Sequence, residues 1–289
     1  MEQGARYAGL GIEVTGLLMA GALVPVPGLT IISPASNGGP SWARLDTGDY
    51  RARPTSWIRQ IILHTTGGLW PQAVHPGTGK PGHAQSIAEM WYRDPVHSAA
   101  QIVVDYDGTV VCLCDLTRTM AYHSEGSNPW SIGIEMCTMS DGGIYEATLD
   151  AAVKLTSALT ANGPGMGLYN IPAQIQRGPY RNHPLHRMEV GSGSTRHNTG
   201  GPDCVGVFGH RDNTENRGFG DPGDEIFRRL SSAGFEEIDY ETSEDLHIGQ
   251  RRQRALNTLG AKLIEDGVVG PASMAAMRHL GFSRWRDVD

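Results

Sequence analysis

Two histidines, an aspartate and a glutamate are the residues of this chain best suited to chemistry. His64 and His210 each follow a short apolar run that predicts a buried strand, and Glu135 lies within a third such run. Strand ends are places where a rigid scaffold presents reactive groups. Two imidazoles and one carboxylate suit a catalytic Zn²⁺, which takes three protein ligands and leaves a fourth position for water. In this interpretation Asp221, which follows His210 by eleven residues, is the third ligand.

Each of these residues also has an ordinary structural explanation. A histidine after a strand is frequently a solvated or hydrogen-bonded loop residue, and this chain has 11 histidines. An aspartate followed by a proline, as at Asp221, is also typical of a helix N-cap. Glu135 could form a buried salt bridge, for example with Arg211. Residue types and spacing alone leave these alternatives open.

Both histidines are expected at the ends of buried strands. Residues 58–63 end in the apolar run Ile-Ile-Leu directly before His64, as expected for a strand that is covered on both faces. Residues 204–211 read Cys-Val-Gly-Val-Phe-Gly-His-Arg and present His210 in the same way.

Two further segments predict strands. Residues 101–115 contain two β-branched runs joined by an Asp-Gly pair, which is a strong hairpin signal. Along residues 131–136 the isoleucines and Met136 alternate with Gly133 and Glu135, so these two sets are expected on opposite faces of a strand.

Helical spacing of apolar residues predicts helices over residues 148–163 and 221–235, with Pro222 in the first turn of the second helix. Residues 163–203 have no sustained period and are expected to form a long ordered insertion. The predicted fold class is mixed α/β, with a central mixed β-sheet flanked by helices and a small C-terminal helical domain.

The chain divides into segments of different composition. Residues 1–55 are rich in glycine and proline and are expected to form an irregular leader with short strands or an extended arm. Residues 56–235 would form the catalytic domain, and the polar stretch 236–245 would link it to a helical module over 246–289. The apolar stretch 16–29 is not preceded by net positive charge, so it is not a convincing signal peptide. It is also too short to span a membrane as a helix.

Composition and net charge argue against a nucleic-acid partner. The chain has 289 residues, a hydrophobic content of 39% and a formal net charge of −7, without a long basic run, so no nucleic-acid partner is expected. The four cysteines are expected to be free thiols in the main. Cys112 and Cys114 share one face of a strand and cannot easily bridge each other, whereas a pairing of Cys137 with Cys204 is left open. We expect a monomer.

Four ordered motifs carry a family resemblance: ILHTTGG at 62–68, AYHSEG at 121–126, SIGIEM at 131–136 and GHRDNTENRGFGDPG at 209–223. In letters, order and spacing they resemble the type 2 N-acetylmuramoyl-L-alanine amidases, the family of phage T7-like lysozymes and the peptidoglycan recognition proteins. The resemblance covers approximately residues 57–234.

The resemblance implies a function and a site. Zn²⁺ would be held by His64, His210 and Asp221, and peptidoglycan would be the substrate, cleaved at the amide between muramic acid and L-alanine as in a cell-wall lytic, endolysin-like enzyme. Glu135 would take the proton of the attacking water and pass it to the leaving amine. The resemblance places His123 in the substrate groove. The protein would act on the cell wall, either extracytoplasmically or after release by a phage.

Two positions depart from the family pattern. Many members have a lysine two residues before the aspartate ligand, where this chain has Phe219; His123 and Arg217 are the candidates to replace it in holding the tetrahedral intermediate. Gln101 stands where the family often has histidine, which puts a groove contact in doubt. A noncatalytic peptidoglycan receptor of the same fold is the alternative function, and a zinc hydrolase acting on a different amide is a third.

The C-terminal segment resembles peptidoglycan-binding domain 1. The matching residues are Gln253, Leu256, Leu259, Asp266-Gly267, Gly270-Pro271 and Ala275-Ala276. The Asp-Gly and Gly-Pro pairs are also ordinary turn chemistry.

Overall fold

The computed structural model describes residues 16–45, 52–66, 82–93, 99–124, 127–139, 143–161, 171–177, 205–213 and 221–239, together with residues 253, 256–257, 259–263 and 271–281. The chain forms two compact units, Met1–Glu237 and Ile238–Asp289. No helix in the described part of the chain is long and apolar enough to cross a membrane.

The described part of the chain contains ten strands and five α-helices. The strands are β1 Leu17–Met19, β2 Ala22–Val24, β3 Ile31–Ile32, β4 Gln60–Thr65, β5 Ile102–Val104, β6 Val110–Cys112, β7 Ser131–Met136, β8 Gln174–Arg177, β9 Gly206–Gly209 and β10 Glu236–Asp239. The helices are α1 His83–Arg93, α2 Glu146–Leu159, α3 His210–Asn213 and α4 Asp224–Ser232, and α5 Pro271–His279 lies in the second unit.

A mixed sheet of eight strands forms the centre of the first unit, in the order β10-β8-β9-β4-β7-β5-β6-β3. The strands from β8 to β5 in this order are parallel to their neighbours, and β5 pairs with β6 antiparallel. β1 and β2 form a separate antiparallel hairpin. The mixed α/β fold class predicted from the sequence is confirmed.

The sheet has an apolar layer on each face. One layer contains Ile61, Leu63, Ile132 and Ile134 from the strands, packed against residues of α2 and α4. The other contains Val103 and Val111, packed against residues of α1. β4 is buried along its whole length, as its apolar sequence predicts.

Several elements agree with the sequence-based expectations. The hairpin turn predicted between residues 101 and 115 joins β5 and β6, and Gly108 in that turn has φ +82°, a conformation that favours glycine. The predicted helix over 148–163 is observed as α2. The helix predicted from residue 221 begins only at Asp224 with Gly223 as its N-cap, so the placement of Pro222 in its first turn is wrong.

Three segments contribute strands whose sheet partners the sequence did not predict. The stretch expected to be a leader contains β1, β2 and β3, and β3 pairs with β6 inside the main sheet. The expected insertion 163–203 contributes β8, and the start of the expected linker forms β10 at the sheet edge. Each of these strands is short and gains its stability from the sheet that it joins, which a local sequence pattern does not reveal.

Three cysteines, Cys112, Cys114 and Cys137, are free thiols. Burial raises the pKa of Cys112 to about 12 and raises the pKa of both Cys114 and Cys137 well above the usual range. The raised pKa values keep these thiols in the protonated form at neutral pH. Cys137 is among these free thiols, and Cys204, the partner that the sequence left open for it, lies outside the described residues.

The second unit has a small helical core. Gln253 and Leu256 are buried, as are Ser273 and Met277 of α5, and Gln253 Nε2 donates to Ser273 Oγ at 3.4 Å. Leu259 is exposed.

Candidate metal and catalytic site

The register of the parallel strands brings His64, Glu135 and His210 to one edge of the sheet. His64 pairs directly with Glu135 across β4 and β7, so their side chains lie on the same face. On the other side of β4, Leu63 pairs with Gly209, which places His210 immediately beyond the carboxyl end of β9. Ligand sites of open α/β sheets form outside the carboxyl ends of the strands.

Asp221 completes this cluster from the loop that precedes α4. Its Oδ1 accepts a hydrogen bond from the backbone N–H of Thr65 at 3.0 Å, and its Oδ2 lies 3.0 Å from His210 Nδ1. The carboxylate is buried, with 3% of the residue exposed. Thr65 follows His64 in sequence, so this hydrogen bond fixes the aspartate beside the first histidine. The N-cap alternative for Asp221 is not observed, because Gly223 is the N-cap of α4.

The three side chains form a compact set of donor atoms. His64 Nδ1 and His210 Nδ1 are 2.9 Å apart, and His64, His210 and Asp221 each offer a ligand atom within 4.8 Å of the others. A buried set of two imidazole nitrogens and one carboxylate oxygen is a borderline N/O donor set of the kind that binds Zn²⁺, and three ligands leave one position open. The residues present therefore fit the metal that the sequence motifs imply.

Glu135 lies beside this donor set without joining it. Its Oε2 is 4.0 Å from His64 Nδ1, and 15% of its side chain is exposed. It is thus the carboxylate closest to solvent in the cluster, in a position to exchange protons with a molecule bound next to the two histidines. The salt bridge to Arg211 considered from the sequence involves a side chain outside the described residues.

His123 lies behind His64. Its Nδ1 is 3.0 Å from His64 Nε2, its Nε2 is 3.1 Å from Ser131 Oγ, and only 6% of the residue is exposed. Burial, with smaller contributions from His210 and Arg53, holds the pKa of His123 well below its usual range. Both ring nitrogens thus have partners within the protein. The roles of His123 as a groove contact and as a substitute for the lysine stay predictions.

The chain segment that carries His123 is held from two directions. Asn128 Oδ1 accepts hydrogen bonds from the backbone N–H groups of His123 and Ser124 at 2.9 and 2.7 Å. Below it, the buried guanidinium of Arg53 donates to the carbonyl oxygens of Asn128, Ser131 and Leu116. Burial lowers the pKa of Arg53 to about 10, which still leaves it charged at neutral pH.

Two residues of the sheet region, Gly133 and Gln101, help to position the ring of His123. A Cβ atom at Gly133 would lie 2.6 Å from His123 Cγ, so only glycine leaves room for the imidazole there. Gln101 is fully buried, and its Oε1 accepts from the backbone N–H of Gly133 at 2.7 Å. Gln101 is therefore a buried link between β5 and β7, not a groove residue.

A comparison with protein families shows to which family the chain belongs. The family model described as N-acetylmuramoyl-L-alanine amidase matches residues 53–223, more than half of the chain, and this range contains all four residues of the cluster. The chain belongs to this amidase family. No curated protein matches the chain.

The solved structures that match this amidase-family protein have low sequence identity to it. A mutant endolysin from Bacillus subtilis is 18% identical over 45% of this chain and 75% of its own, with a TM-score of 0.33. PGRP-Hd from Alvinella pompejana is 15% identical over 48% of this chain and 92% of its own, with a TM-score of 0.32. A selenomethionine derivative of AmpD is 17% identical over 40% of this chain and 72% of its own, with a TM-score of 0.28.

Two of the family-derived positions lie outside the described residues. Arg217 and Phe219 fall in residues 214–220, between α3 and Asp221. The role of Arg217 as a donor to the substrate therefore stays a prediction.

Arg177 is a further residue of this site region that sequence reasoning missed. It lies on β8 and is 5% exposed; its Nε is 3.7 Å from the fully buried Asp212, and its Nη2 is 2.9 Å from Asp224. Asp212 follows His210 by two residues, and Asp224 follows Asp221 by three. The guanidinium therefore ties together both ends of the segment that separates the second and third candidate ligands. No local signal marks it, because Arg177 lies in a stretch without sustained periodicity.

Proposed function

We propose that this protein is a zinc-dependent hydrolase that cleaves the amide bond between N-acetylmuramic acid and L-alanine in peptidoglycan. The observation that carries the proposal is the convergence of His64, His210 and Asp221 next to Glu135, at the carboxyl edge of the sheet, in a chain of the amidase family. Since peptidoglycan is the substrate, we infer that the protein acts on the cell wall.

The proposed chemistry divides between the metal and Glu135. A Zn²⁺ ion held by His64, His210 and Asp221 would supply a Lewis acid, which acidifies water and polarises a carbonyl group. Glu135 accepts the proton that the attacking water loses and delivers it to the nitrogen of L-alanine as the C–N bond breaks. The products are the lactyl carboxylate of the glycan and a stem peptide with a free amino terminus, and Glu135 ends the cycle unprotonated.

Mass spectrometry of purified muropeptides tests this function. After incubation with the zinc-loaded protein, we expect free stem peptide that begins with L-alanine, together with the peptide-free glycan. Release of a shorter peptide would indicate a peptidase instead. Binding of the muropeptide without any release would favour the noncatalytic receptor, the alternative that the phenylalanine at position 219 supports.

For the C-terminal unit we propose a role in binding the cell wall. The buried Gln253 and Leu256 support the resemblance to peptidoglycan-binding domain 1, since both occupy its small core. Tethering would raise the local concentration of the catalytic unit on its polymer. A chain that ends after residue 240 is expected to co-sediment more weakly with insoluble peptidoglycan than the full chain, while its rate on soluble muropeptides is retained. Equal co-sedimentation of the two chains would exclude this role.

A further inference from the structure

His64 can serve the proposed site only in one of its two neutral forms. Its Nδ1 faces His210, Glu135 and the donor set, and its Nε2 faces the protein interior. A nitrogen that binds a metal must carry a lone pair, so the ring proton has to reside on Nε2. In water neutral histidine populates both forms, and the protein has to select one.

A chain of hydrogen bonds connects His64 Nε2 through His123 and Ser131 to the carbonyl oxygen of Ser127. The donor and acceptor in each bond follow from this last carbonyl. Ser131 Oγ lies 2.7 Å from the carbonyl oxygen of Ser127, which can only accept, so the single hydroxyl proton of Ser131 points to that carbonyl. Ser131 Oγ is then an acceptor towards His123 Nε2, 3.1 Å away. His123 Nε2 must therefore carry a proton and donate it.

The proton on His123 Nε2 determines the role of the other nitrogen of that ring. A neutral imidazole with a proton on Nε2 has a lone pair on Nδ1. His123 Nδ1 is 3.0 Å from His64 Nε2, so it accepts a hydrogen bond, and His64 Nε2 is the donor. The two rings meet nearly edge to face, with planes at 84° and centroids 5.1 Å apart, which is compatible with an N–H of one ring directed at a ring nitrogen of the other.

We propose that His123 is a positioning residue that, with Ser131 and the Ser127 carbonyl, holds His64 in the form protonated on Nε2 and so presents Nδ1 to the metal. This inference rests on the proposed metal site but concerns residues outside it. Ligating histidines usually donate their second N–H to a carboxylate or a carbonyl group; here a second histidine is the acceptor, and a serine orients it.

The surroundings of His123 are built to keep this ring in one place. Gly133 leaves the space that the imidazole occupies, and Asn128 fixes its backbone. Arg53 donates to the Ser131 carbonyl and so holds the strand start that carries the hydroxyl acceptor. The orientation of the His123 ring is thus held by four residues: Gly133, Asn128, Arg53 and Ser131.

The first test uses the unaltered full chain without metal. In ¹⁵N-histidine-labelled protein, long-range ¹H–¹⁵N correlation spectra report which ring nitrogen is protonated, and the His64 signals are assigned by their loss in His64→Gln. We expect His64 to be protonated on Nε2. Protonation on Nδ1, or an even mixture of both forms, would overturn the proposal.

The second test compares two substitutions of nearly equal size. In His123→Asn the side-chain oxygen occupies the place of Nδ1 and can still accept from His64, whereas His123→Leu has no acceptor. Zinc affinity, measured by competition with a chromophoric chelator, is expected to fall about 10- to 100-fold in the leucine variant and to stay near the wild-type value in the asparagine variant. Equal affinities in both variants, whether lowered or unchanged, would show that the hydrogen bond has no such role.

Neither measurement depends on hydrolysis. If zinc binds and His64 is protonated on Nε2 but no stem peptide is released, the proposed function fails and this inference stands. If stem peptide is released but the leucine and asparagine variants bind zinc alike, the proposed function stands and this inference fails.

Discussion

Replacing Glu135 by glutamine is expected to lower the rate of stem-peptide release about 10²- to 10⁴-fold, the usual contribution of a general acid-base group, while the zinc content stays unchanged. Glutamine has the same shape but cannot take up a proton. Glu135 lies 4.0 Å from His64 Nδ1, beside the donor set and not within it, so its loss removes proton transfer and leaves the three ligands intact. The decrease is expected in kcat, with KM little changed.

A matched control separates this effect from a change in charge alone. Glu89→Gln removes a carboxylate from the solvent-facing side of α1, where it contacts Arg93 and Gln85, and is expected to keep the wild-type rate. Zinc content is measured by mass spectrometry on the same samples that are assayed. A Glu135→Gln protein with full zinc and the wild-type rate would remove Glu135 from the mechanism, and one that has lost its zinc would make Glu135 part of the metal site.

The strands that present the site could be predicted from local sequence because each has a complete signal of its own. An apolar run that ends in histidine predicts a buried strand with a reactive end, and alternation along 131–136 predicts the face on which Glu135 lies. The adjacency of His64 and Glu135 was not predictable in the same way, since it depends on the register between two strands separated by about 70 residues. The family motifs supplied that relationship instead.

The residues that sequence reasoning missed act through contacts between distant segments. Gly133 was assigned only to a strand face, whereas its lack of a side chain makes room for the ring of His123. Arg177 joins Asp212 and Asp224 from a strand in a stretch without periodicity. The contacts of His123 with His64 and Ser131 were not predicted, because a motif locates a residue in the chain but does not give the direction of its side chain.

Asp221→Asn is expected to abolish tight zinc binding without disturbing the fold. Asparagine retains an oxygen that can accept the Thr65 N–H, which Asp221 Oδ1 accepts at 3.0 Å, but it replaces the charged Oδ2 beside His210 with an amide group that is a poor metal ligand. After dialysis against a weak chelator, we expect about one zinc per chain in the wild-type protein, by the three-ligand argument, and little zinc in the variant.

Thermal unfolding gives an independent measure of the same loss. A ligand present at 100 times its Kd stabilises the folded state by about 2.7 kcal/mol, which for a domain of this size raises Tm by roughly 5–10 °C. The wild-type protein should show this zinc-dependent rise and Asp221→Asn should not, while Asp150→Asn, which changes an exposed carboxylate on α2, should behave as the wild type. Since Asp221 is the candidate ligand with the weakest sequence support, a normal zinc-dependent rise in its variant would leave only the two histidines as a metal site and would remove the basis for a three-ligand zinc centre.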